Sequence, residues 1–308
     1  MNPTTGEPAP GRILCLGEAL VDLICERHVD DVARAGSFVP HFGGAVSNVA
    51  VVAARYGAPT ALAGGAGKDA WGRWLLDRLG REGVDVSLFT LIPGARTPLA
   101  VVAVDHHGEP SYVIYGDALA TVVPALANRI EQAVRASAAL FISSNTLVRG
   151  EERAVTMRAR ELALELRRPV LFDPNLRLHR WRSPADAADA ASACVPGALL
   201  VRANVGEATL LSGEEEPERA AAALLEAGAR LVVITLGQDG AILRGEAGAD
   251  VPGVPADVVS TMGAGDVLTG ILIARLALAG FGADAVATAL PEAVAESARA
   301  CERWGALE

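Results

Sequence analysis

Six short runs of branched and other apolar residues punctuate this chain, separated by longer segments with helical periodicity: RILCLG from Arg12, TALAG from Thr60, ALFIS from Ala139, PVLFD from Pro169, ALLVRA from Ala198 and RLVVITLG from Arg230. Stretches such as SNVAVVAARYG, EERAVTMRARELALELRR and PERAAAALLEAGA place small and apolar residues on one face and read as helices. Strands that alternate with helices in this way line up in parallel under a cover of helices, so the expected class is α/β with a mostly parallel sheet. The length of 308 residues leaves room for one such domain, or for a core domain with a small appendage.

Two segments break the alternation and read as antiparallel strands of a small projecting sheet. One spans residues 21–42; the other, 97–116, turns at its HHGEP centre. Such a sheet can serve as a lid over a substrate or as a dimer interface, and both readings stand at this point.

With 27 Lys and Arg against 37 Asp and Glu, the net charge of -10 would repel a nucleic-acid backbone or an anionic membrane, so neither is expected as a partner. Cys15, Cys25, Cys194 and Cys301 are scattered without zinc-ligand spacing and read as buried thiols of a cytoplasmic protein. Residues 1–11, rich in Pro, Thr and Gly, lack the basic start and apolar core of a signal peptide and read as a flexible tail before a domain over 12–308. The apolar run from Val267 to Leu278 is interrupted by Arg275 and is shorter than the roughly 20 residues that span a bilayer.

The strongest chemical signal is VVSTMGAGDVLTGILIARLALAG from Val258, where a strand-like run ends in Gly263-Ala264-Gly265-Asp266 and an apolar helix follows. Two glycines let backbone N–H groups approach an anion, and the helix start adds its positive dipole. In the first turn, Asp266 could cap the helix or accept a hydroxyl proton. Two other phosphate motifs fail: Leu268 stands where GxGxxG needs its last glycine, and Asp69 follows Lys68 where a Walker A loop needs Ser or Thr. A second glycine pair, Gly43-Gly44, precedes Ser47 and Asn48; it reads as a tight strand-to-helix turn or as a site for sugar-type hydroxyls. Asp22, placed just after the first strand, could accept two hydroxyl protons.

Taken together, GEALVD at 17–22, GGAVSN at 43–48, FDPNLR at 172–177, NVGE at 204–207, TLGQDG at 235–240 and GAGD at 263–266 resemble the PfkB, or ribokinase-like, carbohydrate kinase family in kind and order. The resemblance covers nearly the whole chain. It implies a Rossmann-like α/β domain with a small β-sheet lid, ATP and Mg²⁺ as cofactors, and transfer of the γ-phosphoryl group to a sugar hydroxyl. By motif, Gly263, Ala264 and Gly265 resemble the family's anion hole and Asp266 its base. Asn204 and Glu207 match the pattern that organises Mg²⁺, partly through water, while Thr235 and Gly237 resemble nucleotide-phosphate contacts. Asp22, Gly43, Gly44 and Asn48 resemble the sugar-binding set, and Arg177 either meets a phosphate or braces its loop.

Fructose is the first choice among substrates, because GEALVD and FDPNLR followed by Trp181 look similar to fructokinases. The segment from Thr97 to Asn128 contains no Lys or Arg, which counts against a phosphorylated sugar or 2-keto-3-deoxygluconate. Ribose or a nucleoside stays open, since Phe42, Tyr112 or Tyr115 could stack on a base. A non-catalytic sugar-binding protein would not need both an intact GAGD and the Asn204–Glu207 pair. Ser260 replaces an acid linked in some relatives to a monovalent-cation site, so weak dependence on K⁺ is expected.

Overall fold

The computed structural model describes residues 11–116 and 118–307; most of the predicted tail therefore lies outside the described residues. In chain order the strands are β1 Ile13–Leu16, β2 Leu20–Ile24, β3 Val39–Gly43, β4 Thr60–Gly67, β5 Phe89–Ile92, β6 Leu99–Val104, β7 Pro110–Tyr115, β8 Ala139–Ser143, β9 Val170–Asp173, β10 Leu200–Asn204, β11 Leu231–Thr235, β12 Ala241–Gly245 and β13 Ala249–Val251. The α-helices are α1 Ala45–Arg55, α2 Ala70–Arg81, α3 Ala118–Ala125, α4 Ala127–Arg135, α5 Gly150–Glu165, α6 Pro184–Ser192, α7 Val205–Ser212, α8 Pro217–Glu226, α9 Ala264–Leu278 and α10 Asp284–Ala300.

The nine-stranded sheet has the order β13-β12-β11-β10-β9-β8-β1-β4-β5. Its strands run parallel from β5 to β11, and β12 and β13 add antiparallel edges. All six strands expected from the apolar runs are present with ends shifted by no more than three residues. Successive side chains of a strand point to opposite faces, so both faces of a buried parallel sheet must be apolar. Accordingly Ile13 and Cys15 pack into one core with α1, α2, α9 and α10. Leu14 and Leu16 pack into the other, under the helices from α3 to α8.

Chain order reverses across the β1–β8 pair: β1 leads outward to β4 on one side, while β8 leads to β9 and β10 on the other. At such a switch point the loops diverge and leave a crevice at the carboxyl ends of the strands.

The small sheet has the order β3-β2-β6-β7. Its outer pairs, β2–β3 and β6–β7, are antiparallel hairpin arms as expected, but the central β2–β6 pair is parallel, with Asp22 opposite Ala100. Asp22 follows β1, as expected, and lies within β2. The β6–β7 turn closes through Asp105, which accepts from the N–H groups of His107 and Glu109.

One expected strand does not form. Residues 258–262 are irregular, because their N–H groups are taken outside any ladder: Val259 and Ser260 donate to the Cys301 carbonyl, and Thr261 donates to the Gly108 carbonyl at 2.8 Å. Cys15, Cys25 and Cys194 are buried as expected, whereas Cys301 is only half-buried. Among the described residues no helix is long and apolar enough to cross a membrane.

Candidate active site

Two connected cavities open between the carboxyl ends of the large sheet and the inner face of the small one. The smaller, of about 60 Å³, is bounded by Glu18, Asp22, Asn48, Tyr112, Arg177 and Asp266. The larger, of about 1020 Å³, runs past Asn204, Glu207, Thr235 and Gly237 and also touches Arg177 and Asp266. Asp266 thus stands at the junction.

Gly263 occupies the N-cap of α9 with φ 74°, a left-handed conformation that suits glycine, and no side chain caps this helix. The capping role open to Asp266 in the sequence is not the one it plays. Its Oδ2 accepts from Asn48 Nδ2 at 2.8 Å and its Oδ1 from Asn175 Nδ2 at 3.2 Å. Each oxygen keeps a further lone pair for a hydroxyl. Burial pushes Asp266 up to about 7; the Asn48 bond opposes this, the Asp173 charge adds to it, and Arg177 and Arg202 pull it back. A carboxylate in that range can accept a proton at neutral pH and release it again.

Asp22 projects from β2 into the same cavity, and burial pushes it up to about 8, helped by the Asp266 charge and opposed by Arg177. Gly43 is needed beside it for space: a Cβ there would lie 2.1 Å from Asp22 Oδ2. Gly44 has φ 100° and begins α1 without a side-chain cap of its own. Ser47 does not fill that role, since its hydroxyl donates to the carbonyls of Gly43 and Gly44. The buried Oδ1 atoms of Asn48 and Asn175 have no hydrogen-bond partner in the protein, which leaves two acceptors for ligand hydroxyls.

Behind Asp266, the end of β9 is tied to its neighbours. Asp173 Oδ2 accepts from Thr269 Oγ1 of α9 at 2.7 Å and pairs with Arg202 Nη1 at 3.4 Å. Asn175 adopts φ 41°, a strained value for a residue with a side chain, and this turn carries its amide to Asp266. Arg177 follows, with its guanidinium 5.4 Å from the centre of the Tyr112 ring.

The Asn204–Glu207 pair forms a reciprocal capping box at the start of α7. Glu207 also accepts from the Leu176 N–H at 2.8 Å, which fixes the loop that carries Arg177. Every oxygen of this carboxylate holds one backbone N–H and keeps a lone pair, so it can still bind a water of a hydrated metal ion. Thr235 Oγ1 accepts from Arg202 Nη2 at 2.8 Å, and Arg202 Nε is buried without a partner in the protein. A Cβ at Gly265 would lie 2.7 Å from Arg202 Nη1, so the glycine leaves this guanidinium room beside the start of α9. A guanidinium with its Nε N–H still free, beside the positive end of α9, suits phosphate, and the donor set therefore fits a Mg²⁺-nucleotide.

The structure brings Asp22, Gly44, Asn48, Arg177, Gly263 and Asp266 around the smaller cavity. It sets Asn204, Glu207, Thr235, Gly237, Ala264 and Gly265 along the larger. Four further residues escaped the sequence reading. Glu18, Asn145 and Arg180 line the smaller cavity and Arg202 the larger. Glu18 sits inside GEALVD, and Arg202 is a charge in an otherwise apolar strand, a pattern that signals a buried partner.

Three expectations about side chains change. The cation-free stretch from Thr97 to Asn128 does not make a cation-free pocket, because Arg177 and Arg180 reach it from the loop after β9. Phe42 cannot stack on a base, since it is buried with its ring 6.4 Å from that of Trp74. Tyr115 is 59% exposed on the outer face of β7, so strand alternation leaves only Tyr112 facing the pocket. Ser260 is fully buried, and its hydroxyl accepts from the Met262 N–H at 3.2 Å.

Comparison with known proteins places this geometry. The family described as "pfkB family carbohydrate kinase" matches residues 11–302. Fructokinase-1 from Oryza sativa subsp. japonica is 31% identical over 267 residues, which cover 86% of this chain and 82% of the relative. The structure of fructokinase from Vibrio cholerae O395 in its fructose, ADP and calcium ion bound form superposes with a TM-score of 0.82 at 28% identity, covering 97% of this chain and 96% of that one. Aminoimidazole riboside kinase from Salmonella enterica, complexed with aminoimidazole riboside and an ATP analog, gives 0.81 at 26% identity, with 96% and 95% covered.

Proposed function

The chain belongs to the pfkB family of carbohydrate kinases, and from that membership we propose that it transfers the γ-phosphoryl group of ATP to fructose or a closely related neutral ketose. The observation that carries the reading is Asp266: a buried carboxyl with both oxygens fixed by amides, standing where the smaller polar cavity meets the larger one. The fructokinase relatives support fructose as the acceptor.

Phosphoryl transfer depends chiefly on alignment and on stabilising charge. When bound, Mg²⁺-ATP supplies the phosphoryl group and the metal neutralises part of its charge. Asp266 orients the acceptor hydroxyl and takes its proton at a carboxylate oxygen. Asp22, Asn48 and Asn175 hold neighbouring hydroxyls, while the N–H groups from Gly263 to Gly265 and the Arg177 and Arg202 guanidiniums face the transferred charge. Asn204 and Glu207 would hold the metal through water, and Thr235 and Gly237 would border the phosphates. The small sheet acts as a lid that excludes water. Its exposed Val113 and Tyr115 support a homodimer through the outer face, and four free thiols fit a cytoplasmic setting.

An ATP-consumption screen across ketoses, aldoses, nucleosides and sugar acids tests the substrate, with fructose expected to give the highest kcat/KM. Arg177 and Arg180 in the pocket favour an acidic sugar as the second reading, and a clear preference for 2-keto-3-deoxygluconate would replace fructose with it. Titrating KCl at constant ionic strength in the same assay should change the rate less than tenfold; stronger activation would contradict the reading of Ser260.

A pH profile tests the base. Asp266 must be ionised to accept a proton, and burial holds it up to about 7. At saturating Mg²⁺-ATP, kcat/KM for the sugar should be level above that value and fall about tenfold per pH unit below it. A profile that stays level down to pH about 5 would remove Asp266 from the proton-transfer step.

A further inference from the structure

The smaller cavity has a second polar cluster that the phosphoryl-transfer step does not use: Glu18, Asn145 and Arg180. Glu18 follows β1 and Asn145 follows β8, so both lie at the point where the strand order of the large sheet reverses. Ligands of open α/β sheets gather in that crevice.

Glu18 is 5% exposed, and its two oxygens have different surroundings. Oε1 accepts from the Ala45 N–H at 3.1 Å and from Asn145 Nδ2 at 2.9 Å. The first bond supplies the cap that Gly44 cannot give α1, and the helix start favours a carboxylate there. Asn145 is held in turn by Arg180 Nη1, which reaches its Oδ1 at 3.0 Å and its carbonyl at 3.2 Å. Helix capping therefore accounts for Oε1. It leaves Oε2 without a function, since that atom is buried with no partner in the protein while its residue lines the cavity. A buried carboxylate oxygen without a donor is unfavourable, and a hydroxyl would relieve it.

We propose that Glu18 Oε2 binds a substrate hydroxyl remote from the one phosphorylated, and that Asn145 and Arg180 position Glu18 for this contact. The inference rests on the sugar-kinase reading and deepens it. Glu18 and Asp266 both line the smaller cavity, Glu18 held at the start of α1 through Ala45 and Asp266 through Asn48, so a polyol in that cavity can offer one hydroxyl to each. Burial raises Glu18 above the usual carboxylate range, opposed first by its own backbone N–H, then by the Arg180 charge, the Asn145 amide and the Val46 N–H.

The test compares wild type and Glu18→Gln with fructose and its series of single deoxy analogues. Glutamine can keep the carbonyl contacts of Oε1 while replacing the Oε2 acceptor by an NH₂ group. The expected result is a KM for fructose raised roughly 10-fold to 100-fold, with the loss in KM rather than in kcat. One deoxy analogue should lose a similar factor in wild type and nothing further in the variant. Ratios of kcat/KM between fructose and each analogue do not depend on the fraction of folded enzyme, so they decide the matter even if the variant is less stable. An unchanged KM, or the same discrimination against every analogue in both enzymes, would overturn the proposal. If wild type ignores fructose, the substrate reading fails separately, and the deoxy series is then built on the sugar it does accept.

Discussion

Asp266→Asn is expected to lower kcat by about 10²-fold to 10⁴-fold while sugar and ATP still bind. Asparagine fits the site: its amide would meet Asn48 or Asn175, whose buried Oδ1 atoms lack a partner and can turn to accept. Because no side chain caps α9, the substitution removes no cap. The sign of the stability change follows from the raised pKa. Asp266 stands at about 7 in the fold against an ordinary 3.8, so the folded state binds its proton more tightly than the unfolded chain does. Stability from this group is then full below about 4 and is lost as pH rises through about 7. At pH 8 the variant should melt no lower than wild type. Measuring kcat, melting temperature and calorimetric sugar affinity together separates the roles, and a near-wild-type kcat would rule out the base.

The second large effect is expected at Gly43. An alanine Cβ there would fall 2.1 Å from Asp22 Oδ2, 2.6 Å from its Cγ and 2.9 Å from Leu20 Cδ1, so the Asp22 carboxylate must leave its position. Displacing a substrate-positioning group by about 1 Å can cost about 10²-fold, and kcat/KM for the sugar in Gly43→Ala should fall by that order. Affinity for an ATP analogue should stay within about twofold, because the larger cavity does not include Gly43. Equal losses for sugar and nucleotide would show that the change spreads beyond Asp22.

The parallel core was legible because its strands are short apolar runs bounded by polar residues, as PVLFD is, and burial on both faces demands that pattern. The same rule misread Val258 to Met262: branched residues there suggest a strand, but the Cys301 and Gly108 carbonyls take the N–H groups. GAGD stood out locally, whereas the amides that orient Asp266 come from α1 and from the turn after β9, and their convergence is a tertiary fact. NVGE carried two meanings. Its asparagine and glutamate three positions apart are also a capping signature, and the structure uses the pair in that way. Arg202 was hidden because a strand pattern draws attention to its apolar neighbours. The cations of the pocket come from the loop after β9, whereas the cation-free segment from Thr97 to Asn128 supplies only the opposite wall.

The parallel pairing of β2 with β6 has a consequence for anyone who would redesign the acceptor preference. Asp22 reaches the pocket from one hairpin and Tyr112 from the other, and their relative height is set by the register that places Asp22 opposite Ala100. In a strand, a slip of one residue turns every side chain to the opposite face. Grafting either hairpin alone from another kinase would put the register at risk and could exchange Asp22 for Val21 or Tyr112 for Val113 at the pocket wall. The transplantable unit is the pair, Leu20–Gly43 with Leu99–Tyr115, moved as one piece.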